Sequence, residues 1–242
     1  MSAFYEPEKI HKVILKLSGE ILAGKNGFGF DMESINYIVN EIIEVKNLGL
    51  SVGIVLGGGN VFRGNSSIGE ELTRFVGDNV GMLATVQNAL IVSDLLKKRN
   101  YVSELFSAIQ LDRVAKFYTP SRANTSLDEG KICLFCAGTG NPFFTTDTAA
   151  VLRAIELDAD LVLKGTKVDG VFSTDPQKDK NATFYQNLTY DEAINKSLKI
   201  MDLTAFSLAR EFAMPIKVFN TMEPGNLKRA ILEKEVGTFV HK

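Results

Sequence analysis

The chain has little of what proton transfer and metal chemistry usually need. Its 242 residues include two Cys and two His. His11 and His241 lie near the two ends, so a histidine-based triad or a histidine-rich metal site has scant material. Cys133 and Cys136 spell C-x-x-C inside Lys131-Ile-Cys-Leu-Phe-Cys-Ala-Gly138, a segment that reads as a buried strand. Residues three apart on a strand face opposite sides, and no second cysteine pair exists to complete four ligands. Both thiols are therefore expected to be structural, in a reducing compartment. Neither sign of charge dominates: 27 Lys+Arg against 29 Asp+Glu leave a net charge of -2. That balance argues against a surface dedicated to coating nucleic acid and leaves room for a local basic cleft. No apolar run is expected to reach bilayer-spanning length, and residues 1–11 are polar, with Glu6, Pro7 and Glu8, unlike a signal peptide. A cytoplasmic protein with no membrane contact is expected. The G-x-x-x-x-G-K-[ST] spelling is absent, as is G-x-G-x-x-G after the first strand, which lowers the weight of P-loop and hydride-transfer chemistry.

What is present is an alternation of short apolar runs with amphipathic stretches. Hydrophobic residues make up 45% of the chain, too many for disorder and enough for a continuous core. Strands are expected over 12–17, 50–56, 101–106, 131–137, 160–163, 215–219 and 238–240. Helices are expected over 32–48, 78–98, 112–117, 149–157, 189–194, 203–212 with a Thr204 cap, and 226–234. Such alternation indicates a mainly parallel sheet covered on both faces, a three-layer αβα sandwich. We expect one domain over 1–242, with a less regular, semi-autonomous nucleotide-side lobe around 165–200.

In a parallel sheet, ligands bind beyond the carboxyl ends of the strands. Four glycine-containing turns fall there: Lys16-Leu-Ser-Gly19, Gly57-Gly-Gly-Asn60, Gly138-Thr-Gly-Asn141 and Lys164-Gly-Thr-Lys-Val-Asp-Gly170. Each alone is most simply a tight turn. Together at one edge they suggest close backbone approach to something bulky and anionic. Lys16 interrupts an otherwise apolar strand, so it needs a counter-charge or a ligand, and a transferring phosphoryl group would suit it. Arg63 could add a second charge or be an ordinary surface arginine. Asp147 could cap a helix or could orient two lysines. Asp175, in Ser173-Thr-Asp-Pro176, reads most simply as a turn residue, and Asp169 is ambiguous in the same way.

Further strings carry a resemblance. Lys16-Leu-Ser-Gly-Glu20, Gly57-Gly-Gly-Asn-Val-Phe-Arg-Gly64, Gly77-Asp-Asn-Val-Gly-Met-Leu-Ala-Thr85, Gly138-Thr-Gly-Asn-Pro-Phe-Phe-Thr-Thr-Asp147, the Lys164-to-Pro176 segment and Met201-Asp-Leu-Thr-Ala205 together resemble the bacterial uridylate (UMP) kinases of the amino acid kinase superfamily. The resemblance implies an amino acid kinase-like fold and a reaction in which MgATP and UMP give ADP and UDP. By motif it implies Lys16, Asp147, Arg63 and Lys164 as catalytic. ATP-side residues would be Lys16, Leu17, Ser18, Gly19, Gly59, Arg63, Thr166, Phe172 and Asp175. UMP-side residues would be Gly58, Asp78, Thr139, Gly140, Asn141, Pro142, Phe143, Phe144, Thr145 and Thr146. The loop of Gly24, Lys25, Asn26, Gly27, Phe28 and Gly29 matches a region linked to allosteric activation by GTP; inhibition by UTP and a homohexamer are also implied. Mg²⁺ would come with ATP, since no carboxylate cluster appears that would hold it. Phe172 stands where relatives often carry tyrosine, keeping stacking without the hydroxyl. Ser121-Arg-Ala-Asn-Thr-Ser126 replaces a more basic and apolar segment near regulatory or subunit contacts. Gly165 stands where alanine is common, an exchange the loop should tolerate. Two rivals remain at this stage: a kinase of small carboxylates on the same fold, and a nucleotide-sensing regulator without turnover.

Overall fold

The computed structural model describes residues 5–64 and 67–242; residues 1–4 of the polar N-terminal stretch lie outside them. The strands are β1 (Lys12–Leu17), β2 (Ser51–Leu56), β3 (Ser103–Ser107), β4 (Lys116–Phe117), β5 (Ile132–Cys136), β6 (Leu161–Thr166), β7 (Val171–Phe172), β8 (Phe184–Tyr185), β9 (Asn187–Thr189), β10 (Ile216–Asn220) and β11 (Thr238–His241). The helices are α1 (Met32–Lys46), α2 (Ser67–Glu71), α3 (Arg74–Lys98), α4 (Pro120–Asp128), α5 (Thr146–Glu156), α6 (Tyr190–Asn195), α7 (Leu203–Glu211) and α8 (Asn226–Leu232). Nine strands form one sheet in the order β4-β3-β5-β2-β1-β6-β10-β11-β9, and β7 pairs with β8 in a separate hairpin. The pairs from β4 to β10 are parallel; β11 reverses against β10, and β9 runs parallel to β11.

Side chains alternate across each strand, and the two faces fill different cores. Val13, Leu15 and Leu17 of β1 join Ile54, Leu134 and Leu163 under α1, α3 and α8. Ile14, Val55, Cys133 and Val162 join the opposite core, under α4, α5, α6 and α7. This is the expected αβα sandwich. Cys133 and Cys136 fall in opposite cores, both free and buried, as their spacing on a strand requires. α1 is amphipathic, with Ile35, Ile38, Val39, Ile42 and Val45 buried and Asp31 accepting from the Ser34 N–H at 2.8 Å. Each such fully buried aliphatic side chain stabilises by about 1.5–3 kcal/mol relative to an exposed one.

Several sequence expectations need correction. Residues 112–117 are not a helix: the Val114 and Ala115 N–H groups close a turn on the Leu111 carbonyl, and Lys116–Phe117 (β4) then pairs with β3. α4 was not anticipated; it begins at Pro120, with Thr119 accepting from the Arg122 N–H. α7 is capped by Asp202, which accepts from the Ala205 N–H at 3.0 Å, and not by Thr204. α3 starts one turn earlier than its periodicity suggests, on a Thr73 cap. By length and composition α3 also reaches what a membrane span requires, with a mean hydropathy of 1.2 over its most apolar stretch, half of which is buried. Its apolar residues Met82, Val86, Ala89, Val92 and Leu96 pack in the first core, as in a core helix. On the same side of the sheet Lys217 is fully buried. Its Nζ donates to the carbonyls of Glu233 and Lys234 at 3.3 and 3.1 Å and lies 4.1 Å from the Tyr5 ring centroid; burial pushes it down to about 8.

Candidate active site

The four strands whose carboxyl ends carry the glycine turns are neighbours, in the order β5-β2-β1-β6. Their turns therefore converge on one edge. His11 precedes β1 and His241 ends β11, so both histidines lie at the opposite edge.

Lys16 and Lys164 are register partners on β1 and β6. Both point to the α5 side, because their neighbours Ile14 and Val162 lie in that core. Two ammonium groups so placed would repel. Asp147 meets them from the first turn of α5, with Oδ2 accepting from Lys164 Nζ at 2.6 Å and Oδ1 lying 2.7 Å from Lys16 Nζ. The three side chains are only 12–13% exposed. The Lys16 contact is an ion pair without hydrogen-bond alignment, and among the described residues Asp147 Oδ1 is the one buried side-chain oxygen that accepts no hydrogen bond. Burial by itself would raise the Asp147 carboxyl, but the charges of Lys16 and Lys164 outweigh it and hold the group below the ordinary carboxylate range. Burial, reinforced by the Lys16 charge, pushes Lys164 below the usual lysine range even with Asp147 beside it.

Asp147 has this role because another residue caps the helix. Thr145 Oγ1 accepts from the N–H groups of Asp147 at 3.0 Å and Thr148 at 3.4 Å. α5 therefore begins at Thr146, ahead of the expected 149, and the Asp147 carboxylate is left to face the lysines. Thr145 Oγ1 in turn donates to Asp202 Oδ2, and Thr148 Oγ1 lies 3.2 Å from Asp202 Oδ1. One carboxylate thus caps α7 and fastens the start of α5. Sequence reasoning missed this residue; the N-cap spacing Asp202-Leu-Thr-Ala205 was the available signal.

The glycine turns pack backbone against backbone. A Cβ on Gly19 would lie 2.3 Å from the Gly57 carbonyl oxygen, and one on Gly58 would lie 2.8 Å from that of Gly81. Buried Asn60 and Asn88 exchange amide hydrogen bonds at 3.0 and 2.7 Å, and Asn88 also donates to the Gly57 carbonyl at 2.6 Å, which fixes the turn after β2. Leu17 carries its side chain into the opposite core, while its carbonyl accepts from the Gly57 N–H. Gly165 is tighter than expected: a Cβ there would fall 2.3 Å from Thr221 Cγ2 and 2.7 Å from Leu17 Cδ2, so alanine would require both to move.

Two cavities open at this edge. One of 220 Å³ is lined by Gly58, Asp78, Thr139, Asn141, Phe144, Thr145 and Thr146, most of the expected UMP side, and also by Gly59, which was expected on the ATP side. Arg74, Met82 and Thr85 line it as well and were not foreseen. Gly140, Pro142 and Phe143 do not line it. Gly140 instead packs against the Ala108 carbonyl, and Phe143, at φ 73°, donates its N–H to Asp78 Oδ2 at 2.7 Å. The turn at Gly138 (φ 56°) is braced from beneath by buried Arg153, which donates to the Gly138 carbonyl at 3.4 Å and stacks 3.8 Å over the Tyr118 ring. The other cavity, of 430 Å³, is lined by Thr166, Phe172 and Asp175, three expected ATP-side residues, with Gly170 and Leu198. Phe172 makes an edge contact with Phe184 at 5.2 Å across the β7–β8 hairpin. Asp175 is also the turn residue it resembles, accepting from the Gln177 N–H at 3.0 Å.

Arg63 donates to the carbonyls of Gly59 and Gly27, both at 2.9 Å, and lies 3.2 Å from Glu20. The 24–29 loop is tied to the same place, since the Gly29 N–H donates to the Asn60 carbonyl at 2.7 Å. Only residues 24–26 of that loop continue the 3₁₀ turns that begin at Gly19, and Gly24, at φ 56° and ψ -139°, kinks the chain between them.

Among the described residues no three His, Cys, Asp or Glu side chains gather into a metal-binding group. The nearby carboxylates are engaged: Asp147 by two lysines, Asp202 by Thr145, Thr148 and the α7 backbone, and Glu20 by Arg63 and Lys167. Of the carboxylates that line the two cavities, Asp78 accepts from the Phe143 N–H and Asp175 from the Gln177 N–H.

Comparison with known proteins agrees with this geometry. The model of the amino acid kinase family matches residues 11–220. A uridylate kinase of Aeromonas salmonicida is 50% identical over 230 residues, covering 95% of this chain and 94% of the relative. The crystal structure of a UMP kinase from Bacillus anthracis superposes with a TM-score of 0.93 at 38% identity, over 96% of each chain. That of a UMP kinase from Ureaplasma parvum gives 0.91 at 33% identity, over 97% of this chain and all of the other. A sheet edge lined with paired lysines and glycine turns, and a likeness that runs nearly end to end, lead to one assignment: the chain belongs to the amino acid kinase family, within its uridylate kinase branch.

Proposed function

We infer that the protein transfers the γ-phosphoryl group of ATP to UMP, giving ADP and UDP. The observation that carries this reading is the Lys16–Asp147–Lys164 cluster. Thr146, next to Asp147, lines the smaller cavity, and Thr166, two residues beyond Lys164, lines the larger. Phosphoryl transfer is mostly positioning and charge stabilisation. The acceptor is already a phosphate oxygen, so no strong general base is needed, and the histidines at the far edge are not called on. The two ammonium groups would stabilise charge on the transferring oxygens, while Asp147 keeps them together and aimed. Mg²⁺ bound to ATP would offset charge on the donor phosphates.

On this reading the larger cavity receives the ATP nucleoside, within the 165–200 segment, and the smaller receives UMP, with Asp78 at the ribose and residues 139–146 around the base. The 24–29 loop is the proposed seat of GTP activation, and its bonds to Asn60 and Arg63 would carry the effect to the phosphates; UTP would inhibit. Self-association to a homohexamer is supported by the exposed face of α3, where Phe75, Val76, Leu83 and Leu90 meet solvent. We place the protein in the cytoplasm, in keeping with its two free thiols.

The test is a coupled ADP-release assay with MgATP and a panel of UMP, CMP, AMP and small carboxylic acids. Turnover is expected with UMP. Turnover only with a small acid would favour the rival kinase reading, and nucleotide binding without any turnover would favour a sensor. Light scattering checks the hexamer.

A further inference from the structure

A second cation–carboxylate–cation triplet lies at the same edge, and of its three residues only Arg63 enters the reading above. Glu20 follows Gly19, whose backbone is locked against Gly57. Its Oε2 accepts from Lys167 Nζ at 2.9 Å, and its Oε1 lies 3.2 Å from Arg63 Nη2. The three residues come from three separate turns, after β1, β2 and β6. Each oxygen meets a different cation, so the carboxylate bridges them as one oxyanion. A Cβ on Gly59 would sit 3.6 Å from Glu20 Cγ, so the side chain lies across the glycine turn itself. The Lys167 hydrogen bond leads the forces that hold the Glu20 carboxyl below its ordinary range, and it is charged at neutral pH. Exposed pairs of this kind contribute little to stability. Holding a carboxylate at the centre of a would-be anion site therefore calls for another explanation.

We propose that Glu20 is a specificity-determining residue of the donor site, an internal stand-in for phosphate that occupies the position offered by Arg63 and Lys167 until the donor's phosphates displace it. This rests on the proposed phosphoryl-transfer reading for the identity of the donor, not for the geometry. A guanidinium and an ammonium converging on one anion suit a phosphate's several oxygens. A ligand must bring enough negative charge to displace a carboxylate already in place. A nucleotide with its full phosphate chain does so, and a bare nucleoside has nothing to gain there. Glu20 therefore sets a threshold of charge for occupancy of the donor site.

The experiment is calorimetric binding of inorganic tripolyphosphate, ATP and adenosine to the full chain and to its Glu20→Gln variant. Glu20→Gln removes the competing charge and keeps the shape. It should bind tripolyphosphate and ATP about tenfold more tightly, the scale expected for one nearby charge in a partly screened site. Adenosine affinity should change less than twofold. Combining it with Lys167→Gln should cancel most of the gain. Unchanged or weaker tripolyphosphate binding by Glu20→Gln, or an equal shift for adenosine, overturns the proposal. Should Glu20→Gln fail to fold, Lys167→Gln alone decides: a several-fold loss of tripolyphosphate affinity supports the idea, and an unchanged affinity sinks it. The outcome is separable from the function itself. Tripolyphosphate binding does not depend on the acceptor, so a protein without UMP turnover could still show the Glu20 effect, and an active UMP kinase could lack it.

Discussion

The two triplets at the sheet edge share a composition and differ in setting. Lys16–Asp147–Lys164 is only 12–13% exposed, on two adjacent strands and a helix start. Arg63–Glu20–Lys167 is 34–63% exposed, on one 3₁₀ turn and two loops. Each sets two cations on one carboxylate. In the first, low dielectric makes every charge costly to lose, and a tertiary contact fixes the carboxylate. In the second, water screens each pair, so the carboxylate can be exchanged at small cost. One arrangement suits permanent aim at a reacting group, and the other suits a replaceable partner.

The largest effect expected is on the buried triplet. Lys16→Met should lower turnover by about 10²–10³, the usual scale for losing one charge-stabilising donor, while UMP affinity measured by calorimetry survives. Near-normal turnover would remove Lys16 from the chemistry and undo the contrast. Asp147→Asn leaves two buried lysines with no counter-charge. It should cost about 3–5 kcal/mol of stability in denaturant unfolding, with a matching fall in turnover; a loss no larger than that of an exposed pair would show the burial argument to be wrong.

The pH response is the next effect in size, and here stability and activity part. Asp147 is held below its ordinary range, so its contribution to stability is full at neutral pH and is lost as pH falls through that depressed value. Lys164 is held below its ordinary range too, so the unfolded chain binds more protons between the two values, and stability gains there as pH rises. Turnover should fall over that same alkaline interval, because the ammonium is being lost. Lys164→Arg, whose charge does not titrate, should move the alkaline limb of the rate profile upward; a limb that stays put would assign it to another group. The smallest effect belongs to the exposed triplet. Lys167→Ala should change stability by under about 1 kcal/mol, and the change should shrink further at high salt. A larger, salt-insensitive loss would make the second triplet structural like the first.

Legibility in the sequence followed the same division. The central strands could be read because a strand buried on both faces is a nearly continuous apolar run, and the glycine turns marked their carboxyl ends as the ligand edge. Lys16 stood out because it interrupts such a run. α4 was hidden by its polar surface: only Ala123, Ser126 and Leu127 of Pro120–Asp128 are buried, too few to set a helical period. β7, β8 and β9, at two or three residues each, are too short for any period to appear. Glu20 and Asp202 were passed over because a carboxylate's partners lie far away in the chain, at Lys167 and at Thr145 and Thr148. Gly165 looked exchangeable because the sequence does not reveal that Thr221 crosses it.

The sequence alone determined the layered α/β class, the carboxyl edge as the place for ligands, the lysine that had to be paired there and the shortage of groups for acid–base work. These follow from local patterns of polarity, which the chain carries without folding. Only the tertiary structure decided which aspartate caps a helix and which holds the lysines, and how two similar triplets acquire different strengths. Those outcomes depend on burial and on contacts between residues from separate elements of the chain, and both arise only when the sheet brings its turns together.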